Sequence, residues 1–432
     1  MPQLHAGVRT SRLPLRVPCK KALNGSYKTA RYTLQVTELP NGTYYLKNKQ
    51  TERNADIENQ SMSDGTQIHQ WEFHGGKSQR WEFRHLGDGY YSVKSDNAST
   101  PYYLGVSGDS SAYDAAVVLR TGSLTNGMKW KISKTPSYAY KITPRTGEAN
   151  NRVLAVGVYQ NNTNGIDIQQ WNYVEDENFK DEWYIASTIT IGFSTDNYTD
   201  GCSFGERQSY RYANKFFDKL ISSPGTPMFD KVHHYNKGSV RTASKNDFAV
   251  NGAISNDIDF MIYIGHGLQA SNSNGNYLHY NCATGGNYHT NDCSNPVYNA
   301  YHSELNFGSD VSDLRWVWLY TCNFLKYNDY VTQETLKRMM TGAHIVMGYG
   351  TQACLCDPMV ETFANHLREG LPIIEAYFRA GREGEASVTS DENLQRVMYI
   401  PQAEKETIYS PRIDYEYDFS DVLFVINNIQ GG

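Results

Sequence analysis

The sequence predicts two modules of different class: an all-β module built from three repeats, then an α/β module with a mostly parallel sheet. Three observations carry this reading. Tryptophans recur at Trp81, Trp130 and Trp183, steps of 49 and 53 residues, in a region of strand-and-turn spacing without helical periodicity. From about residue 188 onward, continuous apolar blocks alternate with stretches of helical spacing. The chain of 432 residues is also too long for one ordinary core.

Within the first module each repeat opens on a tyrosine-rich strand: "GTYYLKN", "GYYSVKS" and "YAYKITP". A second strand follows in "NADIEN", "YLGVSG" and "LAVGVY", and a third in "IHQWEF", "AVVLRT" and "DIQQWNY". The fourth carries the recurring tryptophan, in "SQRWEF", "GMKWKI" and "KDEWYI". Gly, Asn and Ser turns separate the strands. Four short strands repeated three times, with a tryptophan at the same place in each, converge on a shared core.

Composition narrows the function. Hydrophobic residues make up 39% and charged residues 20%, a globular balance. Net charge is −6 and no Lys/Arg stripe is present, which argues against nucleic acid or an anionic membrane as partner. No apolar run is long enough to span a bilayer. The 33 tyrosines and 35 glycines suit surfaces that bind polar ligands such as sugars. Residues 1–29 read as a basic, flexible leader without the apolar stretch of a secretion signal. Seven cysteines leave at least one unpaired, and Cys282 and Cys293 flank a Gly/Asn-rich loop that a bridge would close. Cysteine usage leaves the compartment open.

The threefold pattern over residues 30–187 resembles the ricin-B-type β-trefoil lectin domain, whose Gln-x-Trp motif is intact here in Gln79-Arg80-Trp81. The other repeats read Met128-Lys129-Trp130 and Asp181-Glu182-Trp183. The resemblance implies sugar pockets built from an acid on the second strand and an aromatic platform. The acid position holds Asp56 in the first repeat, Gly105 in the second and Ala155 in the third. Only the first repeat is therefore expected to bind carbohydrate, through Asp56, Trp71 and Gln79.

The α/β module, residues 188–432, is read in order as a strand in "TITIGFSTDN", a helix in "RQSYRYANKFFDKLISS", and strands in "DFMIYIGHG" and "LRWVWLYTC". A helix in "QETLKRMMTGA", ending at Gly342, a strand in "HIVMGYGT", helices in "MVETFANHLREG" and "LPIIEAYFRAGRE", and a last strand in "VLFVINN" complete it. In such sheets chemistry collects beyond the carboxyl ends of the strands. His266 and Cys322 lie just past two of those ends. A thiolate nucleophile with an imidazole to take its proton is a recurrent catalytic pair.

The apolar block closed by His-Gly, followed 56 residues later by a block closed by Cys, is similar to the caspase-like cysteine peptidases, the group of gingipains and clostripain. The resemblance implies a caspase-like α/β sandwich in which His266 is the base and Cys322 the nucleophile. The backbone amides of Gly267 and Cys322 would then stabilise an oxyanion. Thr321 stands where the family often has alanine. The loops that form the S1 pocket hold Asp196, Asp200 and Asp357, acids suited to a basic P1 side chain. The same acids can instead cap helices or hold a structural calcium; no other cofactor is implied. Residues 269–301 read as a long loop beside the cleft. The expected function is a cysteine endopeptidase acting on protein or peptide substrates and carrying a carbohydrate-binding module. The alternative is a catalytically inert caspase-like protein that acts as a lectin or toxin-like glycan-binding protein.

Overall fold

The computed structural model describes residues 39–97, 100–157, 162–174, 179–195, 207–221, 229–235, 258–268, 277–279, 299–301, 304–308, 314–327, 330–353, 355–387, 393–411, 415, 417 and 419–429. The first module contains β1 (Gly42–Asn48), β2 (Asn54–Ile57), β3 (Ile68–Trp71), β4 (Arg80–His85), β5 (Tyr91–Ser95), β6 (Tyr103–Val106), β7 (Val117–Arg120), β8 (Lys129–Lys134), β9 (Tyr140–Pro144), β10 (Arg152–Val156), β11 (Ile166–Asn172) and β12 (Trp183–Ala186). First and fourth strands pair within each repeat, β1 with β4, β5 with β8 and β9 with β12. Between repeats β4 pairs β5, β8 pairs β9 and β12 pairs β1. Those six pairings close a barrel without a free edge. The hairpins β2–β3, β6–β7 and β10–β11 cap it, linked in a ring through Gln67–Val118, Ala116–Gln169 and the β11–β3 pairing.

The three tryptophans sit fully buried at the centre. A buried indole N–H needs an acceptor. Nε1 of Trp81, Trp130 and Trp183 donates to the carbonyls of Ala55, Leu104 and Leu154 at 3.2, 2.9 and 2.8 Å. Each carbonyl belongs to the second strand of its own repeat. This places Asp56, Gly105 and Ala155, the next residues along, at equivalent positions.

The second module has a seven-stranded sheet. Its elements are β13 (Ile189–Thr195), α1 (Arg207–Ile221), β14 (Phe229–Tyr235), β15 (Phe260–Ile264), β16 (His266–Leu268), β17 (Tyr277–His279), β18 (Asn299–Tyr301), β19 (Trp316–Tyr320), α2 (Tyr330–Lys337), β20 (Ile345–Tyr349), α3 (Asp357–Arg368), α4 (Ile373–Glu383), β21 (Asn393–Tyr399) and β22 (Leu423–Ile429). The strand order is β14-β13-β15-β19-β20-β21-β22. The first five are parallel; β21 runs antiparallel to β20, and β22 runs antiparallel to β21 and so in the direction of the first five. β15, β19 and β20 are buried throughout, as their continuous apolar sequences require. Trp318 packs on Phe216 of α1, Phe363 of α3 and Tyr377 of α4, which seats these helices on one face.

Three sequence expectations are corrected. α2 stops at Lys337, short of Gly342. The strands β14 and β21 went unread, because neither carries a continuous apolar block. Part of the long loop after His266 is structured: β16, β17 and β18 form a small antiparallel sheet, so His266 begins a short strand.

The two modules share a hydrophobic cluster, to which the barrel contributes Tyr45, Ala139, Tyr184 and Ala186. Tyr184 stacks on Tyr409 at 4.2 Å and donates to the Glu369 carbonyl at 2.8 Å. Lys47, fully buried, donates to the Tyr409 hydroxyl at 3.0 Å. Among the described residues, no helix is long and apolar enough to cross a membrane, and no group of three or more His, Cys, Asp or Glu could hold a metal ion.

Candidate functional site

In the first repeat, β2 and β3 pair with Asp56 opposite His69 and Asn54 opposite Trp71, so these side chains share one face. Trp71 is 39% exposed and stacks on His69 at 5.2 Å. Asp56 is buried at 4% exposure, and its Oδ2 accepts Gln79 Nε2 at 2.9 Å. Gln79 also donates to the Glu72 carbonyl at 2.7 Å and accepts the His74 amide at 3.0 Å. Of the three residues expected from sequence, Asp56 and Gln79 are in direct contact, and Trp71 lies on the same face of the β2–β3 hairpin as Asp56. His74 was missed. Its Nε2 lies 2.7 Å from Asp56 Oδ2, and the available signal was an imidazole at the turn of "FHGGKSQRW".

At the carboxyl edge of the sheet, β15 and β19 stay in register to their last pair, Ile264 with Tyr320. His266 and Cys322 each stand two residues beyond it. Gly267 packs on the Cys322 turn: a Cβ there would run into the Cys322 carbonyl oxygen and fall 2.5 Å from Thr321 Oγ1. Glycine is required by this close approach of two backbones. The turn is tied to the end of β20 by Asn323 N–H to the Thr351 carbonyl at 2.7 Å and Leu325 N–H to the Tyr349 carbonyl at 3.0 Å. Asn323 takes the left-handed conformation, φ 57°.

Cys322 Sγ accepts the Ala353 amide at 3.3 Å. Burial pushes the Cys322 thiol up; the Ala353 amide opposes this and the charge of Glu385 adds to it. The resting sulfur is accordingly a thiol. Thr321 Oγ1 is buried beside it with no hydrogen-bond partner among the described residues.

The S1 acids separate. Asp196 and Asp200 lie outside the described residues. Asp357 begins α3, where Arg211 reaches it at 2.6 Å and Lys215 at 2.7 Å. Burial opposes its ionisation, but these two cations win and hold its carboxyl below the usual range. The structure spends Asp357 on joining α1 to α3 rather than leaving it open to a basic side chain.

Residues 28–120 and 77–171 match the family model described as a ricin-type beta-trefoil lectin domain-like family. The amino-terminal module is a ricin B-type β-trefoil lectin domain. Residues 193–406 match a domain of unknown function, DUF6345. A 128-residue stretch is 30% identical to flavastacin of Elizabethkingia meningoseptica, covering 29% of this chain and 29% of that protein. The chain therefore spans under a third of the length of this curated relative. Among solved structures, the designed threefold-symmetric protein ThreeFoil is 26% identical, covering 33% of this chain and 95% of that one, with a TM-score of 0.30. The Macrolepiota procera ricin B-like lectin, solved in complex with lactose, is 25% identical, covering 34% of this chain and 96% of that one, with a TM-score of 0.28.

The other two repeats of the lectin domain have lost this arrangement for visible reasons. In the second, Arg120 replaces the platform, and a Cβ at Gly105 would lie 2.8 Å from its side chain and 3.0 Å from Met128. Arg120 donates to the Val106 carbonyl at 2.7 Å and fills the space itself. In the third, Trp171 survives, but Lys180 Nζ sits 3.9 Å over its ring. Asp181 there takes over the structural part of Gln79 and accepts the Val174 amide at 3.1 Å.

Proposed function

We propose that the chain is a carbohydrate-binding cysteine endopeptidase. The first lectin repeat holds a glycan, and the α/β module hydrolyses peptide bonds with Cys322 as nucleophile and His266 as base. The observation that carries the catalytic part is the packing of Gly267 on Thr321 and Cys322, which brings the residue after His266 against the nucleophile turn. On this reading the base draws the proton from a thiol that burial keeps neutral at rest, and the Gly267 and Cys322 amides face the developing oxyanion. The carbohydrate part rests on Asp56, Gln79 and Trp71 converging in one repeat of a lectin domain.

The raised Cys322 thiol favours a second reading, in which the α/β module is inert and the protein acts through glycan binding alone. One experiment separates them. A fluorogenic peptide library varied at P1 is given to the wild type and to Cys322→Ala, and both are titrated with saccharides. Hydrolysis is expected to vanish in Cys322→Ala with sugar binding unchanged, while Asp56→Ala loses sugar binding and keeps hydrolysis. Equal cleavage by wild type and Cys322→Ala would sink the peptidase reading. No cleavage by either, with no labelling of Cys322 by acyloxymethyl ketone peptides, would select the second.

A further inference from the structure

The turn after β19 holds a hydroxyl that the fold itself does not use. Thr321 is 1% exposed, and its Oγ1 has no hydrogen-bond partner among the described residues. Such a group costs its desolvation, and an orphan of this kind is a mark of strain or of function.

Its surroundings narrow the choice. The hydroxyl faces Gly267: a Cβ there would lie 2.5 Å from Thr321 Oγ1 and 3.2 Å from its Cγ2. The Cys322 N–H, on the next residue, also makes no hydrogen bond among the described residues. Neighbouring donors are committed. Thr321 N–H goes to the Leu319 carbonyl at 2.9 Å, and Asn323 N–H goes to the Thr351 carbonyl at 2.7 Å. The Cys322 sulfur has its own donor in the Ala353 amide at 3.3 Å. Two orphaned donors therefore sit on adjacent residues of this turn, against the segment that follows His266. A dry, preorganised donor gives most to a charge that appears only during reaction, because no water has to be reoriented around it.

We propose that the Thr321 hydroxyl is a third oxyanion donor, beside the amides of Gly267 and Cys322. This rests on the peptidase reading above. As Cys322 Sγ bonds the substrate carbonyl carbon, the π pair of the C=O moves onto oxygen. The Thr321 hydroxyl donates to that oxygen and keeps its proton. When the pair returns, the C–N bond breaks and the leaving amine takes the proton held by His266.

The test uses the full chain and the best substrate of a P1-varied fluorogenic library. Thr321→Val keeps the shape of the side chain and removes the donor; its kcat is expected to fall between about 10- and 100-fold with KM unchanged. Thr321→Ser restores the donor and is expected to stay within about threefold of the wild-type kcat. A peptide aldehyde forms a Cys322 adduct whose oxygen stands where the oxyanion forms. Its affinity is expected to weaken in Thr321→Val by the same factor as kcat/KM. Iodoacetamide alkylates Cys322 without forming an oxyanion, so its rate is expected to match the wild type. Wild-type kcat in Thr321→Val would overturn the proposal, and so would Thr321→Ser as slow as Thr321→Val. A fall in alkylation rate equal to the fall in kcat would also overturn it, assigning the hydroxyl to the sulfur instead. If the wild type cleaves no peptide of the library and binds no peptide aldehyde, the peptidase reading itself fails, and the proposal with it.

Discussion

Thr321 carries one of the buried polar atoms that the fold leaves unsatisfied among the described residues. Its hydroxyl is buried beside Cys322 and Gly267 without a hydrogen-bond partner among the described residues. A buried hydroxyl that makes no hydrogen bond costs its desolvation, on the order of 1 kcal/mol or more. Thr321→Val keeps the shape and removes that cost. It is expected to raise thermal stability by about 1 kcal/mol at the melting temperature, measured by calorimetry; a lower melting temperature would mean that the hydroxyl is satisfied in solution. Asp56 shows the opposite case. Its burial is tolerated because two donors converge on one oxygen. From the sequence, Asp56 was recognisable by its place in the repeat, while His74 was not, because its contact with Asp56 depends on a ring orientation set by Gly76.

Among elements, β15 and β19 were the easiest to read, since a strand buried on both faces must be apolar along its length. Their carboxyl ends carry His266 and Cys322, and their amino ends are closed by buried polar contacts. Arg315 pairs with Asp259 at 3.1 Å, and Glu406 accepts Trp316 Nε1 at 2.6 Å and engages His344 at 2.9 Å. The pairing between the β16 segment and the Cys322 turn depends on Gly267 having no side chain. Gly267→Ala is expected to destabilise by about 2 kcal/mol or more in urea unfolding, because its Cβ meets a backbone carbonyl that cannot rotate away. Wild-type stability in that variant would show that the two turns separate at no cost. Strands β14 and β21 escaped notice for a related reason: their mixed sequences are accepted as strands through pairing with neighbours.

At the scale of the whole molecule, the lectin domain and the α/β module are joined through a shared core rather than a linker. Lys47 lies in that joint, and burial pushes its pKa down to about 8, against a weaker pull from Glu52. The unfolded chain, with an ordinary lysine, binds more protons than the native one between about pH 8 and pH 10. Stability from this group therefore rises as pH climbs through that window, and below it the burial penalty is felt in full. Lys47→Met is expected to unfold at higher denaturant near pH 7 and to lose the upward slope, as denaturant midpoints across pH would show. A slope unchanged by the substitution would assign it to other groups. The tyrosines add the opposite trend only at higher pH, since burial pushes Tyr44 up to about 12.

The division between the two sources of information follows from distance along the chain. Trp81, Trp130 and Trp183 were legible because a repeat writes the same local solution three times, and the loss of the acid at Gly105 and Ala155 was legible by position. The apolar blocks before His266 and Cys322 were legible because burial on both faces leaves a compositional trace. Tertiary structure alone decided that Asp357 is bound by Arg211 and Lys215, that Lys180 covers Trp171, and that Lys47 is buried between modules. Each of those outcomes joins residues from different elements. The energy of a charge or a ring depends on what is packed against it, and sequence spacing does not record that.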